Sequence, residues 1–258
     1  MVFTSTEITA FIGTLLWPLF RIAGMVMTAP VFGARTVPAR IRLGLSVALT
    51  VMVLPVLPAA PQVELFNPLN ILLIAQQLLI GVVMGLALQL VLAAVITGGQ
   101  VVAMQMGLGF AAMVDPQNGT QTPIMSQFYV IMVVLIYLAM NGHLVLIEVM
   151  VDSFRTMPVA ATGLAPESFY TLVKWAGIVF SGAVAIAIPA IASLLIVNFT
   201  FGIMTRAAPQ MNIFAIGFPL TMLLGFAVVF ATIPSMVPQS SNMFTGAYRL
   251  LRSLVGGA

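Results

Sequence analysis

LNILLIAQQLLIGVVMGLALQLVLAAVI, residues 69–96, runs without a single charged side chain. A bilayer core about 30 Å thick needs about 20 apolar residues as helix, so this stretch is long enough to cross one. Five other stretches qualify or nearly qualify: Ile8–Phe32, Leu43–Ala60, Met125–Val151, Thr171–Phe201 and Asn212–Val237. The 258-residue chain is 61% hydrophobic with only nine basic and six acidic residues, and its mean hydropathy is +1.16. Soluble domains are about 25% charged, so too little polar surface exists here to face water. The chain reads as an all-α integral membrane protein, in contact with lipid. About six hydrophobic segments form hairpins that pack into a larger helical assembly, as one domain spanning residues 1–258. Pro55, Pro58, Pro189, Pro219 and Pro234 fall in or at the ends of these segments and predict bent or broken helices.

The same composition excludes whole classes of chemistry. No cysteine is present and His143 is the single histidine. Disulfides, iron–sulfur clusters, thiolate nucleophiles, multi-His metal sites and bis-His haem are therefore excluded, and no cofactor is expected. Six scattered carboxylates do not suit a hydrolase, so no enzyme is expected. A net charge of +3 is too small and dispersed for a nucleic-acid surface. Before Arg21 no basic residue precedes the first apolar stretch, and that stretch is too long for a signal-peptide core, so a retained N-terminus is expected. Loop charge does not orient the spans. Arg35, Arg40, Arg42 and Arg206 fall on one side, and Arg155, Lys174, Arg249 and Arg252 on the other.

Several features stand out against this background. Arg21 lies mid-way through the first stretch, where a lipid-facing charge is costly. Two readings are open: a charge facing a pore or a subunit interface, or a shorter span that ends at Arg21 after Pro18. Gly81-Val-Val-Met-Gly85 is a small-xxx-small pattern, followed by Gly98–Gly99, and predicts close approach of another helix. The third connection, about residues 97–124, is long, nearly uncharged and rich in glycine and methionine. Within it Met104, Met106 and Met113 crowd around Gly107, Leu108, Gly109 and Phe110, ahead of Asp115–Pro116. Soft, unbranched methionine and permissive glycine suit a deformable apolar seal. A plain re-entrant segment using methionine as packing filler is the other reading, with Asp115 as a turn residue.

Glu148, Asp152 and Arg155 are spaced four and three apart and share a helix face. His143 sits five residues before Glu148, about 140° round the helix, so a proton relay through it is not built. Interfacial anchoring with a local ion pair is the simpler reading. Asn118-Gly-Thr120 matches a glycosylation sequon, a pattern that arises often by chance.

Taken in order, several stretches resemble the FliR family of flagellar export proteins, called SctT in virulence secretion systems. They are Pro30-Val-Phe32, Val37-Pro-Ala-Arg-Ile-Arg42, Gln76-Gln-Leu-Leu-Ile-Gly81, Met104-Gln-Met-Gly-Leu-Gly-Phe110 and Val114-Asp-Pro116. Asn141-Gly-His143, Asp152-Ser-Phe154, Arg206-Ala-Ala-Pro-Gln-Met-Asn-Ile-Phe214 and Ile216-Gly-Phe-Pro219 complete the set. Each is weak alone, but the ordered set covers nearly the full chain.

The resemblance implies a non-enzymatic channel subunit, assembled with FliP and FliQ and working with FlhB and FlhA to pass unfolded flagellar subunits. It implies the bacterial inner membrane and the flagellar basal body, with much of the gate on the periplasmic side. The loop after the third stretch would be the pore plug, about Met104–Asp115, with Phe110 and the methionines at the constriction. Arg21, His143, Glu148, Asp152, Arg206 and Gln210 are the candidate interface or pore-facing polar groups. Two alternatives stand beside it: the SctT subunit of a virulence system, and a stand-alone proton-coupled transporter, for which no internal repeat is visible.

Overall fold

A computed structural model describes residues 5–34, 36–58, 69–108, 124–160, 163–207 and 213–256, with side chains throughout except at 5–12, 69, 213–216 and 218. The described residues are helical and linked by turns: α1 (Ser5–Thr28), α2 (Ala39–Val53), α3 (Leu69–Gln105), α4 (Ile124–Ala139), α5 (Gly142–Thr156), α6 (Pro166–Trp175), α7 (Ile178–Ala207) and α8 (Ile213–Val255). Among them four segments are long and apolar enough to cross a membrane, or five if α4 and α5 count as one interrupted span. The chain divides into two compact units. The first takes α1, α2, α3 to Leu90, α5, α6 and the end of α8 from Phe244. The second takes α3 from Val91, most of α4, α7 and α8 up to Met243.

Burial is concentrated in α3. In its most apolar stretch 61% of residues are buried, against 17% for α2, 33% for the segment holding α6 and α7, and 22% for α8. This helix is apolar all round, as a helix surrounded by neighbours should be. The others keep large side chains outward: Phe180, Phe199 and Phe230 are each at least 70% exposed. Such surfaces belong against lipid or other protein, not water.

In the first unit α1 and α3 lie side by side in the same direction, with backbones nearly touching. A Cβ at Gly81 would run into the Arg21 carbonyl and the Met25 amide, and one at Gly85 would strike the Thr28 hydroxyl. From the other side, a Cβ at Gly24 would come within 2.5 Å of the Leu78 carbonyl. The partner of the Gly81/Gly85 pattern is thus within the same chain. Thr28 Oγ1 donates to its own helix at Gly24 O and lies 3.3 Å from Val82 O across the crossing. After α1 the chain reverses through a γ-turn, with Val31 at φ 69° and the Phe32 amide on Pro30 O at 2.8 Å. Positive φ is rare for a β-branched residue. In the second unit the Ser126 backbone sits against Gly99, and Ser126 Oγ donates to Ile96 O at 2.9 Å.

Several expected boundaries are corrected. Arg40 and Arg42 are in the first turn of α2, not in a loop, because the helix begins at Ala39, directly after Pro38 at the N-cap. That helix does stop where Pro55 enters the 3-10 turn Leu54–Val56. The third stretch does not end at Ile96, since α3 runs on through Gln105, so residues 97–105 are helix and not loop. The fourth stretch is two helices, interrupted at Met140–Asn141, where Asn141 takes the left-handed φ of 56°. Asparagine tolerates that conformation better than most residues. The sixth stretch runs beyond Val237 to Val255, through Pro219, Pro234 and Pro238. These prolines and Pro189 do not interrupt their helices, because in apolar surroundings any exposed backbone costs more than one missing hydrogen bond.

Candidate functional site

The methionine–glycine segment begins on a defined helix end. Gly107 has φ 80°, its amide bonds to Met104 O, and the Leu108 amide reaches back to Ala103 O, both at 3.0 Å. This pair of bonds is a Schellman cap, which satisfies the last carbonyls of α3 and turns the chain sharply away. Only glycine adopts that φ without steric cost. Met106 is fully buried, and a Cβ on Gly225 of α8 would lie 2.6 Å from its Cγ, so glycine there makes its seat. Met104, one turn position away, is 62% exposed. Leu108 is half-buried. The segment therefore leaves α3 from an anchored point, with one methionine as the anchor and one facing outward. Gly109, Phe110, Met113 and Asp115 lie outside the described residues, as do Asn118–Thr120, Gln210, Arg35 and Glu64.

Arg21 is mid-helix, because α1 continues to Thr28, and its side chain is fully buried in the first unit. Its charge is met inside the chain. Nε donates to Gln77 Oε1 at 2.8 Å, and Nη1 donates to Ser153 O at 2.9 Å and Ser153 Oγ at 3.0 Å. Nη2 donates to Met157 O at 2.9 Å, and the guanidinium stacks over the Phe154 ring with 4.1 Å to its centroid. Two of these acceptors are carbonyls at the C-terminal end of α5, the negative end of the helix dipole. Arg21 thus caps α5 from within, while Gln77 ties it to α3. The sequence places Gln77 and Ser153 only inside stretches that carry the family resemblance, and nothing in it links them or Met157 to Arg21. The available signal was that a buried guanidinium needs several acceptors, and Gln77 is one of the few polar residues of a mostly apolar span.

Glu148, Asp152, Arg155 and Arg252 lie on the outside of the same unit. Arg155 pairs with Asp152 one turn away at 3.9 Å, and Arg252 of α8 reaches Glu148 at 3.5 Å. All four side chains are more than half exposed, so each pair contributes about 0–1 kcal/mol. His143 is half-buried near the start of α5, and no contact joins it to Glu148. Arg206 is exposed in the last turn of α7. Among the described residues no group of three or more histidines and carboxylates could hold a metal ion.

Residues 12–247 match the family described as "Bacterial export proteins, family 1". The chain is 36% identical over 252 residues to the flagellar biosynthetic protein FliR of Escherichia coli (strain K12), covering 98% of this chain and 96% of that one. It is 34% identical to the FliR protein of Pectobacterium carotovorum over 255 residues, with 99% and 97% covered. Against the FliR protein of Bacillus subtilis (strain 168) it is 31% identical over 238 residues, with 91% and 92% covered.

Proposed function

Because the chain belongs to the FliR family of flagellar export proteins, we propose that it is the channel subunit of the flagellar protein-export gate, joining FliP and FliQ in a closed pore. The family is non-enzymatic, and the chain is an inner-membrane protein of the flagellar export apparatus. The finer reading is ours. Residues 1–258 act as one gate domain, FlhB and FlhA work beside it, and unfolded flagellar subunits pass through. Energy for transport resides in other components. The flagellar system is chosen over the virulence equivalent because the relatives described above are flagellar proteins by name.

Helix lengths support a gate that extends beyond one bilayer. At about 1.5 Å per residue, α3 and α8 measure about 55 and 65 Å if straight, against about 30 Å of hydrocarbon. The excess fits a body standing partly on the periplasmic side, with exposed apolar helices covered by FliP and FliQ. Arg206 and Gln210 are proposed contacts to those partners. A stand-alone proton-coupled carrier is disfavoured, since Glu148 and Asp152 are exposed and lie near arginines instead of facing a closed cavity.

The end of α3 is the single observation that carries the plug. A left-handed glycine cap on a helix seated by Met106 fixes the point from which the proposed plug Met104–Asp115, begun on the last turn of α3, runs on beyond Gly107, as a pore seal requires. Gly107, Leu108, Gly109, Phe110 and Met113 then form a soft apolar constriction that excludes water and ions until a chain enters. Shortening the segment, or replacing Met106–Met113 by small residues, is expected to raise ion leakage through the assembled gate roughly ten-fold or more. Leakage measured in cells expressing the gate, unchanged by such variants, would remove the plug assignment.

A further inference from the structure

We propose that a cleft at the shared end of α5 and α8 binds the headgroup phosphate of an anionic phospholipid. The two helices run parallel there. Tyr248 Oη donates to Gly142 O at 2.6 Å, Arg252 reaches Glu148 further along, and Val255 lines the cleft together with Thr156. Both helices therefore finish together, and the cleft between them measures about 230 Å³. Val149 and Val255 supply apolar wall, while Arg155, Arg252 and Asp152 supply charge.

Two helix C-termini would ordinarily repel an anion. Here the inner carbonyls at the end of α5 are already taken by the buried Arg21, through Ser153 O and Met157 O. Arg155 and Arg252, in the last turns of their helices, are left facing outward. Their contacts to Asp152 and Glu148, at 3.9 and 3.5 Å, are longer than hydrogen bonds. The carboxylates thus moderate the charge without filling the guanidinium forks. Each fork carries five N–H donors in a plane that matches a phosphate. Arg249, exposed one turn before Arg252 on α8, brings the local set to three guanidiniums against two carboxylates.

A lipid headgroup fits better than a soluble phosphate because the charge lies at the end of apolar helix. Glu148 is the first charged residue after a run from residue 124 whose ionisable side chains are Tyr129, Tyr137 and His143, and Leu144 is 54% exposed on the same helix. A phosphate in the cleft would sit at headgroup depth with acyl chains along that apolar side. Basic pockets at the ends of membrane helices recognise anionic headgroups in this way.

The test uses the full chain in mild detergent, with native mass spectrometry after adding phosphatidylglycerol or phosphatidylethanolamine of matched acyl chains. Phosphatidylglycerol is expected to be retained in preference. The R155Q/R252Q variant should weaken that retention by about five-fold per arginine, and D152N should strengthen it. Because D152N predicts a gain, poor folding of the double variant does not shield the proposal. Equal retention of the two lipids, no response to either variant, or displacement of phosphatidylglycerol by millimolar inorganic phosphate would overturn it.

Discussion

Replacement of Arg21 by methionine is expected to destabilise the first unit by about 3–5 kcal/mol. Methionine keeps the apolar stem of the side chain but ends short of the guanidinium and donates nothing. It leaves Gln77 Oε1 and Met157 O without the donor they face, while Ser153 O keeps only the Met157 amide, inside a site where Arg21 has no exposure. Each buried acceptor so orphaned costs about 1–3 kcal/mol, and the stack on Phe154 is lost as well. Lysine would keep the charge but not the fork, so R21K should fall between wild type and R21M. The two tryptophans report directly, because Trp17 and Trp175 both lie in the unit that holds Arg21. Thermal unfolding of the full chain in mild detergent, followed by their fluorescence, should show R21M melting about 10 °C lower. An unchanged melt would mean that Arg21 is not the cap of α5.

The second large effect is a pair of opposite signs from one substitution. Gly81→Ala places a methyl group on the Arg21 carbonyl and 2.8 Å from the Met25 amide, and neither backbone group can rotate away. The helices must separate, at about 1–3 kcal/mol or more, which exceeds the gain of about 1 kcal/mol in helix propensity. A valine there should be worse still. Gly44 in α2 has no atom within 4 Å of its would-be Cβ, so Gly44→Ala keeps only the propensity gain. In the same fluorescence melt G81A should lower the transition and G44A should raise it slightly. Equal shifts for the two would contradict the close α1–α3 packing.

These two sites mark what a single sequence can and cannot carry. The Gly81/Gly85 spacing is local, so close approach of another helix was legible, although the choice of partner was not. The methionine–glycine segment was legible from composition, but not where α3 ends within it. That end depends on the left-handed Gly107 and on a seat beside Gly225, more than a hundred residues along the chain. For Arg21 a buried or functional charge could be suspected, yet its acceptors lie 56, 132 and 136 residues away. No periodicity links those positions. Proline marked the end of α2 at Pro55 but did not break the longer helices, because its usual penalty assumes that water competes for the freed carbonyl. In apolar surroundings Pro219, Pro234 and Pro238 stay inside α8, while the turn at Met140–Asn141, with Asn141 left-handed, makes the break.

The most direct test of a gate subunit is its assembly. The tagged chain, co-expressed with FliP and FliQ from the same genome and purified in mild detergent, should give one discrete complex by native mass spectrometry that contains all three proteins. Recovery from that co-expression of this chain only as a particle free of both partners would contradict the gate.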